Sequence, residues 1–133
     1  MKQALPGPNA AVVALGMIAQ SSMRYAALAV RFLTETVGMS KADAACATGF
    51  DITTFDKIAN GEAAVPPHAS ANIDRLIATE SLLLSSYTPA SAGAWFKHPN
   101  PGLGGMSPAH LLAKSGPSAL GDVLRAAAAR VGG

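Results

Sequence analysis

Residues 94–112, Ala-Trp-Phe-Lys-His-Pro-Asn-Pro-Gly-Leu-Gly-Gly-Met-Ser-Pro-Ala-His-Leu-Leu, constrain this chain more than any other stretch. They hold the only tryptophan, Trp95, and the densest run of proline and glycine. The stretch is not periodic, and it separates two apolar, helix-like segments. His98 precedes Pro99, and a pre-proline residue is pushed out of the α region, so a short helix carrying Trp95 and Phe96 ends there. Asn100-Pro101-Gly102 reads as a turn, because proline fixes φ and glycine tolerates positive φ. Gly104-Gly105 allows close backbone approach or left-handed angles. Ser107-Pro108 reads as an N-cap followed by proline at the first helical position, which starts a new helix. Taken alone, these residues describe a helix–loop–helix with Trp95 packed in its core.

The length, 133 residues, allows one domain or two small ones sharing a core. Half of the residues are apolar and alanine is abundant, whereas aromatics make up 5%. With β-branched runs also short, the balance favours helices over a sheet, and the expected fold class is all-α. The lone cysteine, Cys46, excludes an internal disulfide and fits a reducing cytoplasm. Its setting among alanines predicts burial as a small apolar residue. Lys2 and the apolar residues 10–19 resemble a signal peptide, but Pro6, Gly7, Pro8 and Asn9 interrupt the approach. The run is also too short to span a bilayer before Gln20, Ser21, Ser22 and Arg24. It is read as a buried helix in a cytoplasmic protein without a membrane partner, a signal peptide being the alternative.

Charge is unevenly placed. Residues 1–88 carry six Lys and Arg against seven Asp and Glu, whereas residues 89–133 carry four against one. A DNA-binding face needs clustered cations to meet phosphates, and the formal charge of the first two-thirds does not supply them.

In chain order, residues 1–8 are expected to be a loose tail and residues 9–87 a helical region. Asn9 caps a helical pattern that runs to Val37, in which Gln20-Ser21-Ser22 is a place to bend. Met23, Ala26, Ala27, Val30, Leu33 and Val37 form an amphipathic stripe ended by Gly38. This helix is either core or a dimerisation surface. Ser40 and Asp43 mark a second helix start, Thr48-Gly49-Phe50 a turn with an apolar plug, and Asp51 the cap of a helix to Asn60. In that helix Ile52, Phe55, Ile58 and Ala59 are expected inward, and Thr53, Thr54, Asp56, Lys57 and Asn60 outward. Short helix, glycine turn and short helix are what a helix-turn-helix needs. After the Val65–His68 connector, residues 70–87 predict a longer helix. Its apolar side is Ile73, Leu76, Ile77, Leu83, Leu84 and Tyr87, with Glu80 the exception. The final helix, after Ser115-Gly116-Pro117, carries Leu120, Val123, Leu124, Ala127 and Val131 at helical spacing.

Catalytic signatures are missing from this pattern. His68, His98, His110 and Cys46 lack zinc-ligand spacing, and Gly102-Leu103-Gly104-Gly105 lacks the lysine of a phosphate loop. No nucleophile elbow is present. Neither a catalytic residue nor a cofactor is expected.

Trp95, Pro99, Asn100, Leu103, Gly104, Gly105, Pro108, Leu111 and Leu112, followed by Gly116 and the helix of Val123 and Leu124, carry a resemblance. At these spacings residues 88–131 resemble the toxin-binding domain of the Xre/MbcA/ParS antitoxins. The unit at residues 40–60 is similar to the Xre-type helix-turn-helix often found ahead of that domain. The resemblance implies a small helical toxin-binding domain at residues 88–133 behind a helix-turn-helix-like region. It implies an antitoxin of a type II toxin–antitoxin pair, whose partner is a RES-domain toxin that degrades NAD or transfers its ADP-ribose. The antitoxin neutralises that toxin by covering or entering the NAD pocket.

On this reading the toxin-binding residues are Trp95, Phe96, Asn100, Leu103, Gly104, Gly105, Pro108, Arg125, Arg130 and Gly133. Trp95 and Phe96 serve as interface anchors, the plain alternative for Trp95 being the domain's own core. A pocket built for a dinucleotide, with a catalytic carboxylate, accepts an arginine or a terminal carboxylate, so residues 125–133 are expected to reach into the toxin. The plain alternative is a solvated helix end where the dipole favours arginine. The helix from Asp51 would be the recognition helix, with Thr53, Thr54, Lys57 and Asn60 towards DNA and Asp51 and Asp56 opposing phosphates. A homodimer within a hetero-oligomer is expected. A DNA-binding regulator without a toxin partner is the second reading.

Overall fold

Ala26, Ala27, Val30, Leu33 and Val37 turn one side of a helix into the core, Val30 and Leu33 without any exposure. That stripe opens the chain as seen in the computed structural model, which describes residues 22–132. The expected tail at residues 1–8, the cap at Asn9 and the apolar run to Ala19 lie outside the described residues. So do Gln20, Ser21 and Gly133. Helix α1 comprises residues 22–36, regular to Arg31 and widened into a π-helical turn over Phe32–Thr36. It is followed by α2 (Lys41–Thr48), α3 (Ile52–Ala59), α4 (Ser70–Leu84), α5 (Pro89–Lys97), α6 (Pro108–Ser115) and α7 (Leu120–Gly132). Among the described residues there is no strand, and the fold they form is all-α.

The boundaries follow local chemistry. Ser40 Oγ accepts from the Asp43 amide at 3.0 Å and Asp51 Oδ1 from the Thr54 amide at 2.7 Å. Thr88 Oγ1 accepts from Ser91 at 3.2 Å and Ser107 Oγ from His110 at 3.1 Å. Each such cap satisfies a donor that the helix start leaves open, worth about 1 kcal/mol. Proline follows the cap in α5 and α6, where its missing N–H costs nothing.

Helix α4 packs along α7, and α2 packs along α6. Helix α5 touches α4, α6 and the last turn of α1. One apolar core runs from Ala26 and Val30 through Phe55, Leu76 and Phe96 to Leu120 and Ala127, so residues on both sides of position 88 share it. The contact of α5 with α1 is especially close. A Cβ at Gly93 would lie 2.8 Å from the Thr36 carbonyl oxygen, so only glycine lets the widened turn of α1 seat there.

Three side chains depart from the sequence expectation. Ile52 is 49% exposed, because Phe50 and Phe55 already fill the core beneath the start of α3. Leu84 is 42% exposed: it follows the fully buried Leu83, and one residue turns a helix by about 100°. Cys46 is exposed, since Ala45 and Ala47 face inward on either side of it, and its thiol donates to the Ala113 carbonyl at 3.3 Å.

Glu80 is buried on α4, one turn from the fully buried Leu76 and Leu83, with 7% exposure. Its Oε2 has no hydrogen-bond partner among the described residues. Desolvation disfavours the carboxylate and pushes its pKa from 4.5 up to about 9. The folded chain therefore holds this proton where the unfolded chain has released it. Stability is full below the unfolded value and falls as pH rises towards the folded one, by up to about 1.4 kcal/mol per pH unit. Urea melts should show wild-type stability declining from pH 5 to pH 9. The Glu80→Gln variant should show a flatter profile and be the more stable protein at the alkaline end.

Candidate partner-binding cleft

Helix α5 ends where Pro99 requires it. His98 turns to φ −97° and ψ 144°, and its Nδ1 lies 2.6 Å from the Ala94 carbonyl, closing the helix end. The loop that follows is organised by Asn100. Its Oδ1 accepts from the Gly102 amide at 2.8 Å and its backbone N–H donates to Met106 at 3.0 Å. Its carbonyl accepts from Leu103 at 2.9 Å and from Gly105 at 3.0 Å. Asparagine fits this role because its side-chain carbonyl caps the backbone two residues on. Gly104 and Gly105 take φ +66° and +83°, two successive left-handed residues that reverse the chain towards the Ser107 cap.

Inside the loop, Phe96 is fully buried. Its ring meets Trp95 edge-on at 5.2 Å between centroids and Phe32 of α1 at 5.9 Å. Trp95 is half-buried: one side rests on this aromatic support and the other borders a cleft. The cleft, of about 750 Å³, lies between the end of α5, the proline loop and the outer face of α7. Tyr87, Trp95, His98, Asn100 and Arg130 line it, and Ala126 and Ala129 leave it open on the α7 side. The Arg130 guanidinium lies 6.0 Å from the centroid of the Tyr87 ring, a cation held over an aromatic face. The cleft thus offers two aromatic surfaces, an imidazole and a positive charge.

Of the residues expected to bind a toxin, Trp95, Asn100 and Arg130 come together here. Phe96, Leu103 and Pro108 are buried and hold the loop from beneath instead of presenting a surface. Gly104 and Gly105 are exposed at the loop's turn. Arg125 is exposed outside this lining and pairs with Asp122 one turn earlier on α7. Gly133 lies outside the described residues. By sequence, Tyr87 reads as part of an apolar helix face and His98 as the pre-proline residue that ends α5. Nothing in their spacing announces that the connector after α4 brings Tyr87 beside Arg130.

On α3, Thr53, Lys57 and Asn60 are exposed and Thr54 is half-buried. Asp56 pairs with Lys41 of α2 at 3.0 Å, so it ties the two helices together. The Thr54 amide holds the Asp51 carboxyl below its ordinary value, leaving a negative charge at the start of α3. Arg24 and Arg31 of α1 border a groove with Asn60, an arrangement that residue order alone does not reveal. Among the described residues, no three His, Cys, Asp or Glu side chains gather as metal ligands. No helix there is long and apolar enough to cross a membrane. Comparison with protein-family models, with curated proteins and with solved structures finds no match to this chain.

Trp95 is the sole tryptophan, so its emission reports on the loop directly. Asn100→Ala removes the Oδ1 acceptor and is expected to cost about 1–2 kcal/mol in thermal unfolding. It should also shift Trp95 emission to the red in the folded state, as the loosened loop admits water to the indole.

Proposed function

We propose that this chain is an antitoxin that binds a RES-domain, NAD-using toxin and occludes its active site, without chemistry of its own. The observation that carries this reading is the convergence of Trp95, Asn100 and Arg130 on one cleft. These three come from the toxin-binding set that the resemblance implies. Aromatic side chains and arginine dominate binding energy where water is excluded, and here Tyr87 lies beside Arg130 and Trp95 lines the same cleft. A toxin pocket shaped for a dinucleotide, with a catalytic carboxylate, would meet a cation presented beside an aromatic ring. On this reading residues 88–133 act as the toxin-binding part and residues 9–87 as a helix-turn-helix-like part, in a cytoplasmic protein.

The test is co-expression with a RES-domain protein encoded beside this chain, followed by affinity capture and an assay of NAD consumption. Wild-type chain should form a stable complex and preserve NAD. Arg130→Glu, on an exposed position, should keep its helical circular dichroism and weaken the complex by about 100-fold. Lys57→Glu should leave the complex intact. Full protection by the Arg130→Glu variant would remove the cleft from the interface.

A second reading, binding of operator DNA through α3, gains support from one observation. Arg24 and Arg31 line one groove with Asn60, and since Arg31 is paired with Glu35, Arg24 is the cation that α1 adds free where α3 ends. Lys57 is exposed on the same helix as Asn60. Fluorescence anisotropy on the DNA upstream of the gene is the measurement. Binding should weaken steeply with salt, and Lys57→Ala or Arg24→Ala should each lower the log–log salt slope by about one.

A further inference from the structure

Away from the Trp95 cleft, one buried polar group lacks a partner. Glu80 of α4 is more than nine-tenths buried, and its Oε2 accepts no hydrogen bond among the described residues. The carboxyl is not sealed in the core, because Glu80 lines a groove of about 340 Å³ between α1 and α4. Tyr25, Leu28 and Phe32 of α1 form one wall, and Ile77 and Leu84 of α4 the other. Small-molecule sites begin at about this size. The groove is open to solvent, with Tyr25 64% and Leu28 55% exposed.

The chemistry of the lining narrows what fits. The charged and titratable groups that share the groove with Glu80 are Tyr25, Arg31 and Glu35, all on α1. Arg31 is already paired with Glu35 at 3.0 Å, so the groove holds no free cation to meet Glu80. An anion would face two carboxyls. A neutral apolar body would fill the space and leave Oε2 as it is. An ammonium group supplies the missing donor, and a charge-assisted bond to a carboxylate is about twice as strong as a neutral one. Tyr25 and Phe32 add two aromatic rings, whose faces attract cations. The carboxyl turns on a soft terminal torsion, so either oxygen can swing towards the groove.

We propose that the α1–α4 groove is a binding site for a small organic cation, an ammonium group on an apolar body, with Glu80 as its counter-ion and Tyr25, Leu28 and Leu84 around the body. With no cation beside it, burial keeps the Glu80 proton in place up to about pH 9. The ammonium pairs with the carboxylate, so the Glu80 proton passes to the buffer as the ligand enters. The inference does not depend on the antitoxin reading, because the groove shares no lining residue with the Trp95 cleft.

The experiment is isothermal titration calorimetry on the full chain at about pH 7.5, where Glu80 alone still holds its proton, with benzylammonium as the probe. Benzyl alcohol offers nearly the same body without the charge, and benzoate offers the opposite charge. Benzylammonium should bind with a dissociation constant of about 1 mM or lower. The alcohol should bind about ten-fold more weakly, and benzoate should not bind. Heats in two buffers of different ionisation enthalpy should show about one proton released per ammonium bound. Glu80→Gln should weaken benzylammonium by about ten-fold, abolish the proton release and leave the alcohol unchanged. Leu28→Trp, which fills the groove from an exposed position, should weaken both ligands, with circular dichroism checking that each variant is folded. Equal affinity for ammonium and alcohol would overturn the proposal, as would benzylammonium binding that survives Glu80→Gln or Leu28→Trp undiminished. No binding of benzylammonium at about 10 mM would overturn it equally.

Discussion

The arrangement of the cleft rests on Phe96. Its ring is shut away from water between the edge of Trp95 and Phe32 of α1. Burying a side chain of this size contributes about 2–3 kcal/mol, and the edge-on contacts add to that. The same burial does geometric work. It fixes the end of α5 against α1, so that the next residue, His98, leaves the helix at a set place and the loop starts in a set direction. Gly93, one turn earlier, lets α5 come close enough to α1 for the rings to meet. Asn100 then holds the loop, and α7 closes the far side with Arg130. Without the aromatic pin the loop's own hydrogen bonds would survive, but its position relative to α7 would not be defined.

Much of the local structure was legible in the sequence, because it is written in short-range chemistry. Ser40, Asp51 and Ser107 cap helices where they were expected to, and Pro99 and Gly38 end helices for the reasons their backbones dictate. The stripe Ala26–Val30–Leu33–Val37 was readable as a buried face because helical periodicity reports burial directly. Ile52, Leu84 and Cys46 were misplaced for one shared reason. Periodicity says that a side chain is apolar or small, but which neighbour already fills the core is a property of three dimensions. The residues that gather at the cleft were partly legible. Trp95 and Asn100 stand out by residue type and spacing, but Arg130 and Tyr87 are joined only by the packing of α4 along α7.

The two unusual regions of the molecule differ in physical kind. The Trp95 cleft is polar at its rim, where the side chains of His98 and Asn100 bond to the backbone beside them. A groove between α1 and α4, lined by Tyr25, Leu28, Ile77 and Leu84, is apolar, and it contains the Glu80 carboxyl, whose Oε2 has no partner among the described residues. Glu80 makes the native state sensitive to alkali through the proton it keeps. Replacement of such a group by a neutral isostere relieves a cost, so its presence is a departure from what stability alone would select.

The loop after α5 has one further consequence. Its shape is set by the ring of Pro101, by the backbone of Asn100, Leu103, Gly105 and Met106 and by one asparagine oxygen, none of which depends on the side chains of Lys97 or Met106. Lys97 is exposed and Met106 half-buried. The loop therefore behaves as a frame with interchangeable fittings: the positions that meet the outside are decoupled from those that keep its form. A chain built this way can alter the surface it presents by single substitutions at the rim, while the cost of folding stays nearly constant.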